Sequence, residues 1–151
     1  MHGYKLDSVE TGRSYTRING KSIDPERAII VHYVIFKKEM DNSHNYIKVR
    51  TVDLSEFSGR EYLEAELSDL NNYYPSSIID DSVRDTVINS NKGYFYSIII
   101  NYNNQRIKQC RYNLKSKSNK NYDITTNIVV NRDFNSTKND FDNIVSEMTL
   151  K

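Results

Sequence analysis

Tyr94-Phe95-Tyr96-Ser97-Ile98-Ile99-Ile100-Asn101-Tyr102-Asn103-Asn104-Gln105-Arg106-Ile107-Lys108-Gln109-Cys110-Arg111-Tyr112-Asn113-Leu114 is the stretch that decides the fold. Seven of its first nine residues are aromatic or β-branched, which suits a pleated, half-buried surface. Asn103-Asn104 can take the positive φ angles of a tight hairpin turn, and Gln105 to Leu114 then returns as the partner strand. Asn91-Lys92-Gly93 reads as the turn before this hairpin. Lys115 to Asn121 reads as a basic polar loop after it. Tyr122 to Val130 is a third strand, with Tyr122, Ile124, Thr126, Ile128 and Val130 on one face.

Working outward, Phe141, Ile144, Val145 and Met148 fall at i, i+3, i+4 and i+7 and predict a closing helix over 136–149. Upstream, Ser58 followed by Glu61 fits a capping box, and Leu63, Leu67 and Leu70 continue as one helical stripe that Asn71-Asn72 ends. Ile79, Val83 and Val87 are spaced as one side of a second helix over 76–88. Tyr46 to Leu54 and Ala28 to Phe36 read as strands, the latter apolar on both faces. Asn19-Gly20 reads as a type I′ turn between short strands, Arg13 to Ile18 and Lys21 to Ile23. Residues 1–12 show no period and read as an irregular lead-in. The expected fold is α+β: a single, mainly antiparallel sheet of about five to six strands, with two or three helices packed on one face. No Gly-, Ser- or Pro-rich linker interrupts the 151 residues, so a single domain spanning 1–151 is expected.

Composition bounds the function classes. The formal net charge is +1, so overall charge points neither to nucleic acid nor to a membrane. The single cysteine, Cys110, excludes an intramolecular disulfide and leans toward a reducing compartment. Met1 to Lys5 lack the apolar core of a signal peptide, and no apolar run approaches the roughly 20 residues of a membrane span. A cytoplasmic protein is therefore expected. The chain has 18 Asn, 16 Ile and 12 Lys against 2 Ala and no Trp. Such residues have A/T-rich codons, so an AT-rich genome is inferred: a low-GC bacterium, its phage or a large DNA virus.

Charge is unevenly placed. From Asn103 to Lys120 there are six basic residues, Arg106, Lys108, Arg111, Lys115, Lys117 and Lys120, and no acidic one. From Val52 to Ile88 nine acidic residues face only Arg60 and Arg84. Tyr94, Tyr96, Tyr102, Tyr112 and Tyr122 are interleaved with the basic set. Cations attract phosphates or carboxylates, and tyrosine offers a rigid contact surface with a polar tip. These eleven residues are the candidate partner-binding set. The competing reading is an edge hairpin whose lysines discourage strand pairing.

Catalytic chemistry finds little support. The three histidines, His2, His32 and His44, have no metal-ligand spacing, and no metal site or cofactor is expected. His32 reads as a core residue, and His44, in a polar turn, is the one candidate general base. Glu64 and Glu66 diverge by about 200° on a helix and do not form an acid–base pair. No phosphate-binding glycine loop or nucleophile elbow occurs. The leading expectation is a non-enzymatic protein that masks a macromolecular partner, most simply a protein, as an inhibitor or immunity-type protein would. The alternatives are a nucleic-acid-binding protein using residues 102–122 and a small metal-independent nuclease using His44.

Overall fold

The computed structural model describes residues 45–52, 54 and 56–151 in full and, before them, the backbone of residues 4–14, 17–18, 21–22 and 29–38. Its elements are β1 (Tyr4–Ser14), β2 (Arg17–Ile18), β3 (Lys21–Ser22), β4 (Ile29–Lys38), β5 (Tyr46–Val52), α1 (Gly59–Tyr73), β6 (Ile78–Ile88), β7 (Asn91–Tyr102), β8 (Gln105–Lys115), β9 (Asn121–Val129) and α2 (Phe134–Glu147).

The deciding hairpin is present. Asn103 and Asn104 adopt φ of 49° and 62°, and Tyr102 pairs with Gln105 across them. The turn before it sits two residues earlier than the sequence suggested. Asn89 and Ser90 take φ of 48° and 66°, and Asn91 to Gly93 already belong to β7. Seven strands form one antiparallel sheet in the order β1-β4-β5-β9-β8-β7-β6, and β2 pairs with β3 in a separate ribbon. The chain leaves β5, crosses the sheet through α1 to the far edge, and returns strand by strand. The last strand, β9, slots between β5 and β8, and seven of its nine residues are buried.

Three expectations need correction. The stretch 76–88 holds a strand, Ile78–Ile88, not a helix. Ile79, Val83 and Val87 are four apart, a spacing that shares a face in a strand as well as in a helix. β-branching favours the strand, and bulges after Ile79 and Asp81 blur its alternation. Residues 4–12 are not an irregular lead-in but most of β1, an edge strand whose ladder with β4 holds a sequence without apolar alternation. With β1 and β6 the sheet holds seven strands, close to the five to six expected. Finally, the two helices lie on opposite faces of the sheet. Tyr62, Leu63 and Leu67 of α1 pack with Val83, Tyr96, Ile98, Ile100, Ile107 and Val129 on what we call the front. Phe141, Ile144 and Val145 of α2 pack with Ile47, Leu114, Ile124 and Ile128 on the back. Strand alternation sends neighbouring residues to opposite faces, so β9 serves both cores. The Asn19-Gly20 turn lies outside the described residues, although β2 and β3 pair on either side of it.

Helix α1 begins as its sequence requires. Ser58 Oγ accepts from Glu61 N at 3.1 Å, and Glu61 Oε1 accepts from Ser58 N at 3.3 Å. Its first residue, Gly59, lies directly on Asn113: a Cβ there would fall 2.3 Å from Asn113 Oδ1. A Cβ on Gly93 would fall 1.9 Å from the Asn113 carbonyl oxygen, which is backbone and cannot swing aside. Gly93→Ala is therefore expected to cost about 3 kcal/mol by forcing β7 and β8 apart. A urea denaturation showing a loss below about 1 kcal/mol would contradict this packing.

Candidate functional site

The front of the sheet carries a polar lattice where an apolar core would be ordinary. Register sets three rows across β5, β9 and β8: Arg50–Asp123–Asn113, Lys48–Thr125–Arg111 and Tyr46–Asn127–Gln109. All nine side chains point to the α1 side by strand alternation. Asp123 is only 1% exposed. Its Oδ2 accepts from Arg50 Nε at 3.0 Å, from Arg111 NH2 at 3.0 Å and from Tyr62 OH of α1 at 2.8 Å. Its Oδ1 accepts from Asn113 Nδ2 at 2.8 Å. Arg111 NH1 also donates to Glu66 Oε2 of α1 at 2.9 Å. One helical turn, Tyr62 to Glu66, thus clamps the two arginines from above.

Burial drives the Asp123 carboxyl upward from its ordinary value, opposed by the charge of Arg50 and by hydrogen bonds from Asn113, Tyr62 and Arg50. Two guanidinium groups on a single oxygen favour the carboxylate form. Burial also raises the Tyr62 hydroxyl, reinforced by the neighbouring Asp123 charge, so Tyr62 stays a proton donor. The lattice is not fully satisfied. Arg111 Nε and Tyr96 OH are buried with no hydrogen-bond partner.

Two openings flank this lattice. A pit of about 260 Å³ is lined by Tyr46, Lys48, Arg50, Glu66, Gln109, Arg111 and Thr125. A larger cleft of about 660 Å³ lies at the α1 N-terminal end, floored by Gly59, Gly93 and Asn113 and bordered by Lys92 and Lys115. The β8–β9 turn rises beside it. Ser116 N donates to the Lys120 carbonyl at 2.9 Å, and buried Ser116 Oγ accepts from Lys120 N at 3.2 Å. That fixed turn carries Lys117 and Lys120, both exposed.

The eleven residues expected to form a partner surface do not share one. Tyr96 is fully buried in the front core, and Arg111 is clamped in the lattice. Tyr94 is half-buried at the cleft, with the Arg60 guanidinium 5.9 Å from its ring centre. Lys108 and Tyr112 face the back. Lys108 Nζ pairs with Asp80 at 2.7 Å, and Tyr112 stacks on Phe95 with ring centres 5.7 Å apart. Tyr122 donates its hydroxyl to the Lys151 carbonyl at 2.6 Å. Tyr102 and Arg106 are exposed at the far end of the hairpin. Lys115 lines the cleft together with Lys92, and Lys117 and Lys120 are exposed on the adjoining β8–β9 turn, whose Asn119 also lines it. His44 and His2 lie outside the described residues, and of His32 the structure describes only backbone, opposite Thr11 in β4.

Sequence reasoning missed Asp123, Arg50, Tyr62 and Glu66. Their one signal was alternation: Asp123, Thr125 and Asn127 interleave with Ile124, Thr126 and Ile128, and that looks like an ordinary wet face. Only the pairing of β5 with β9 and the crossing of α1 turn it into a buried polar site.

These features define an α+β domain with an antiparallel sheet covered by one helix on each face. Among its described residues, no helix is long and apolar enough to cross a membrane. No protein-family model matches the chain, and none of the curated proteins compared with it is similar in sequence.

Proposed function

We propose that the domain is a non-enzymatic binding protein that masks an acidic protein partner with the lysine-bordered cleft at the N-terminal end of α1. One observation carries this reading: exposed Lys92 and Lys115 line the opening, exposed Lys117 and Lys120 belong to the turn whose Asn119 also lines it, and no ion pair among the described residues neutralises these lysines. The one carboxylate lining the cleft, Asp85, has Arg60 NH1 3.6 Å away. Uncompensated like charge around a concavity steers and orients an oppositely charged partner. An inhibitor or immunity-type protein of bacterial, phage or viral origin would work in this way.

Binding to single-stranded nucleic acid finds less support. Such binding combines cations with aromatic rings on which bases stack. Here Tyr94, Tyr96, Tyr112 and Tyr122 are packed or hydrogen-bonded, and exposed Tyr102 stands a β8 length away from the lysines, roughly 35 Å.

The test is affinity capture from a lysate of the source organism with the wild-type chain and with Lys92, Lys115, Lys117 and Lys120 all changed to Glu. A stoichiometric protein partner is expected on the wild type, weakened about a hundredfold or more on the variant. Exposed substitutions of this kind each leave stability within about 0.5 kcal/mol. A partner held equally by both chains would exclude the cleft. Salt-dependent capture of RNA or DNA alone would replace this reading with the nucleic-acid one.

A further inference from the structure

We infer that the groove between α1 and the outer edge of β6 takes up an extended segment of the partner polypeptide as an added strand of the sheet. This rests on the reading of the lysine cleft as the partner site and adds the form in which the partner enters it. β6 is the last strand of the sheet, and among the described residues no strand pairs with its outer side. The β2–β3 ribbon pairs only with itself.

The register of the turn sets which backbone groups face outward. Asn89 and Ser90, both at positive φ, form a two-residue turn closed by the Ile88–Asn91 pair. In such a hairpin the closing pair exchanges both backbone hydrogen bonds, and bonded pairs then alternate with unbonded ones. Ile88, Thr86 and Arg84 therefore bond to β7, and the N–H and C=O groups of Val87 and Asp85 point away from it. Among the described residues, no backbone bond from a loop or cap reaches either one. Bulges ordinarily blunt an exposed edge of this kind. Those of β6 lie between Ile79 and Arg84, whereas Arg84 to Ile88 pairs regularly. The regular stretch is the part that borders the lysine cleft.

Side chains wall this edge. Asp85, Thr86 and Val87 line the cleft together with Ser58 and Gly59 at the start of α1. Ile79, Ser82 and Val83 face Arg60, Glu64 and Leu67 of α1 across a second groove of about 420 Å³. The two openings meet at Arg60, which lines the second and pairs with Asp85 of the first at 3.6 Å. When a peptide adds to a sheet edge, main-chain bonds supply affinity and pockets for alternate side chains supply specificity. Here one pocket is bordered by Lys92 and Lys115, and the other is walled by Leu67, Val83 and half-exposed Ile79.

Charge selects the occupant. The lysines call for acidic side chains on the incoming strand, and the Val83 end calls for an apolar one. A second copy of β6 does not supply them, because Asp80, Asp81 and Asp85 already pair with Lys108, Arg84 and Arg60. β6 and the two strands that follow it pair antiparallel, so the segment is expected to run from acidic to apolar.

The experiment is an NMR titration of the whole chain with amide hydrogen exchange, using the acetylated, amidated peptide Glu-Thr-Glu-Thr-Ser-Thr-Leu as the probe. In the free chain the Asp85 and Val87 amides are expected to exchange fast, and those of Arg84, Thr86 and Ile88 slowly. Saturating peptide is expected to protect Asp85 and Val87. Val87 is 62% exposed and its N–H faces outward, so Val87→Pro leaves the β7 ladder intact. It is expected to weaken the peptide about tenfold or more. Methylating the peptide's own nitrogens makes the same test on the wild-type chain: on the glutamates and serine it should abolish binding, and on the threonines it should spare it. Protection of Asp85 and Val87 in a dimeric chain without peptide would assign the edge to a second copy and overturn the proposal. No added protection at millimolar peptide would overturn it too. Equal binding by wild type and Val87→Pro would overturn strand addition and leave the lysine cleft standing. Protection that persists with glutamine in place of both glutamates, or in the lysine-to-glutamate variant, would keep strand addition and overturn the acidic partner.

Discussion

Above about pH 10 the domain is expected to lose stability by roughly 4 kcal/mol for each further pH unit, and to unfold cooperatively before its most strongly shifted tyrosines ionise. Tyr62, Tyr96, Tyr112 and Tyr46 all have their hydroxyl pKa raised, each chiefly by burial. An unfolded tyrosine releases its proton near pH 10, whereas in the folded state these four release theirs only at higher pH. Above that value the unfolded chain therefore binds fewer protons than the folded one, and stability falls as pH rises. Below it both states are protonated and the contribution is fully present. Each tyrosine adds about 1.4 kcal/mol per pH unit to the slope while the pH lies between its unfolded and folded values. Against an ordinary total stability of about 5–15 kcal/mol, the strongly shifted Tyr62, Tyr96 and Tyr112 are enough to unfold the domain within a few units, and Tyr46 acts in the same direction. The measurement pairs tyrosinate absorbance with far-ultraviolet circular dichroism along an alkaline titration. The two curves are expected to coincide for these four rings. Stepwise tyrosinate absorbance with the fold intact would contradict the burial. Tyr96→Phe supplies an internal check: it should reduce the slope by one proton. It should also leave neutral-pH stability unchanged or higher, because the hydroxyl it removes is buried and unpartnered.

How much of this was readable in the chain follows from how local each signal is. The start of α1 rests on Ser58 and Glu61, three residues apart, and both reciprocal bonds form. The α2 stripe of Phe141, Ile144 and Val145 lies within two turns and is buried as its period requires. The β7–β8 hairpin closes over two asparagines. None of these depends on the rest of the fold. The polar lattice does: Arg50 and Asp123 are 73 residues apart, and nothing near either announces the other. The expected basic surface failed to assemble for the same reason. Arg111 and Lys108 are close in sequence but point to opposite faces, one into the lattice and the other toward Asp80. A cluster along the sequence becomes a cluster in space on a helix face or a loop, as with Lys115, Lys117 and Lys120, and not along a strand. Tyrosine misled likewise, because a good strand former is as readily packed as displayed.

Asp123→Asn is expected to destabilise the domain by about 3–5 kcal/mol, because it leaves the buried Arg50 guanidinium without its counter-charge and Arg111 with Glu66 alone. The amide is isosteric, but neither orientation suits the site. With its NH2 at the Oδ2 position it meets Arg50, Arg111 and Tyr62, all donors there; at the Oδ1 position it meets the Asn113 NH2. Urea denaturation measures the loss, and a change under about 1 kcal/mol would mean that the arginines are not held by this charge. The more informative comparison replaces the four side chains that meet at Asp123 Oδ2: Arg50→Met, Arg111→Met, Asp123→Leu and Tyr62→Phe together. Replacing a buried ion network by apolar residues of similar volume is often neutral or stabilising. If the quadruple variant recovers most of what Asp123→Asn loses, the charges are not required for the fold. If the quadruple variant is as unstable as the single one, the lattice is a structural core on which the fold depends.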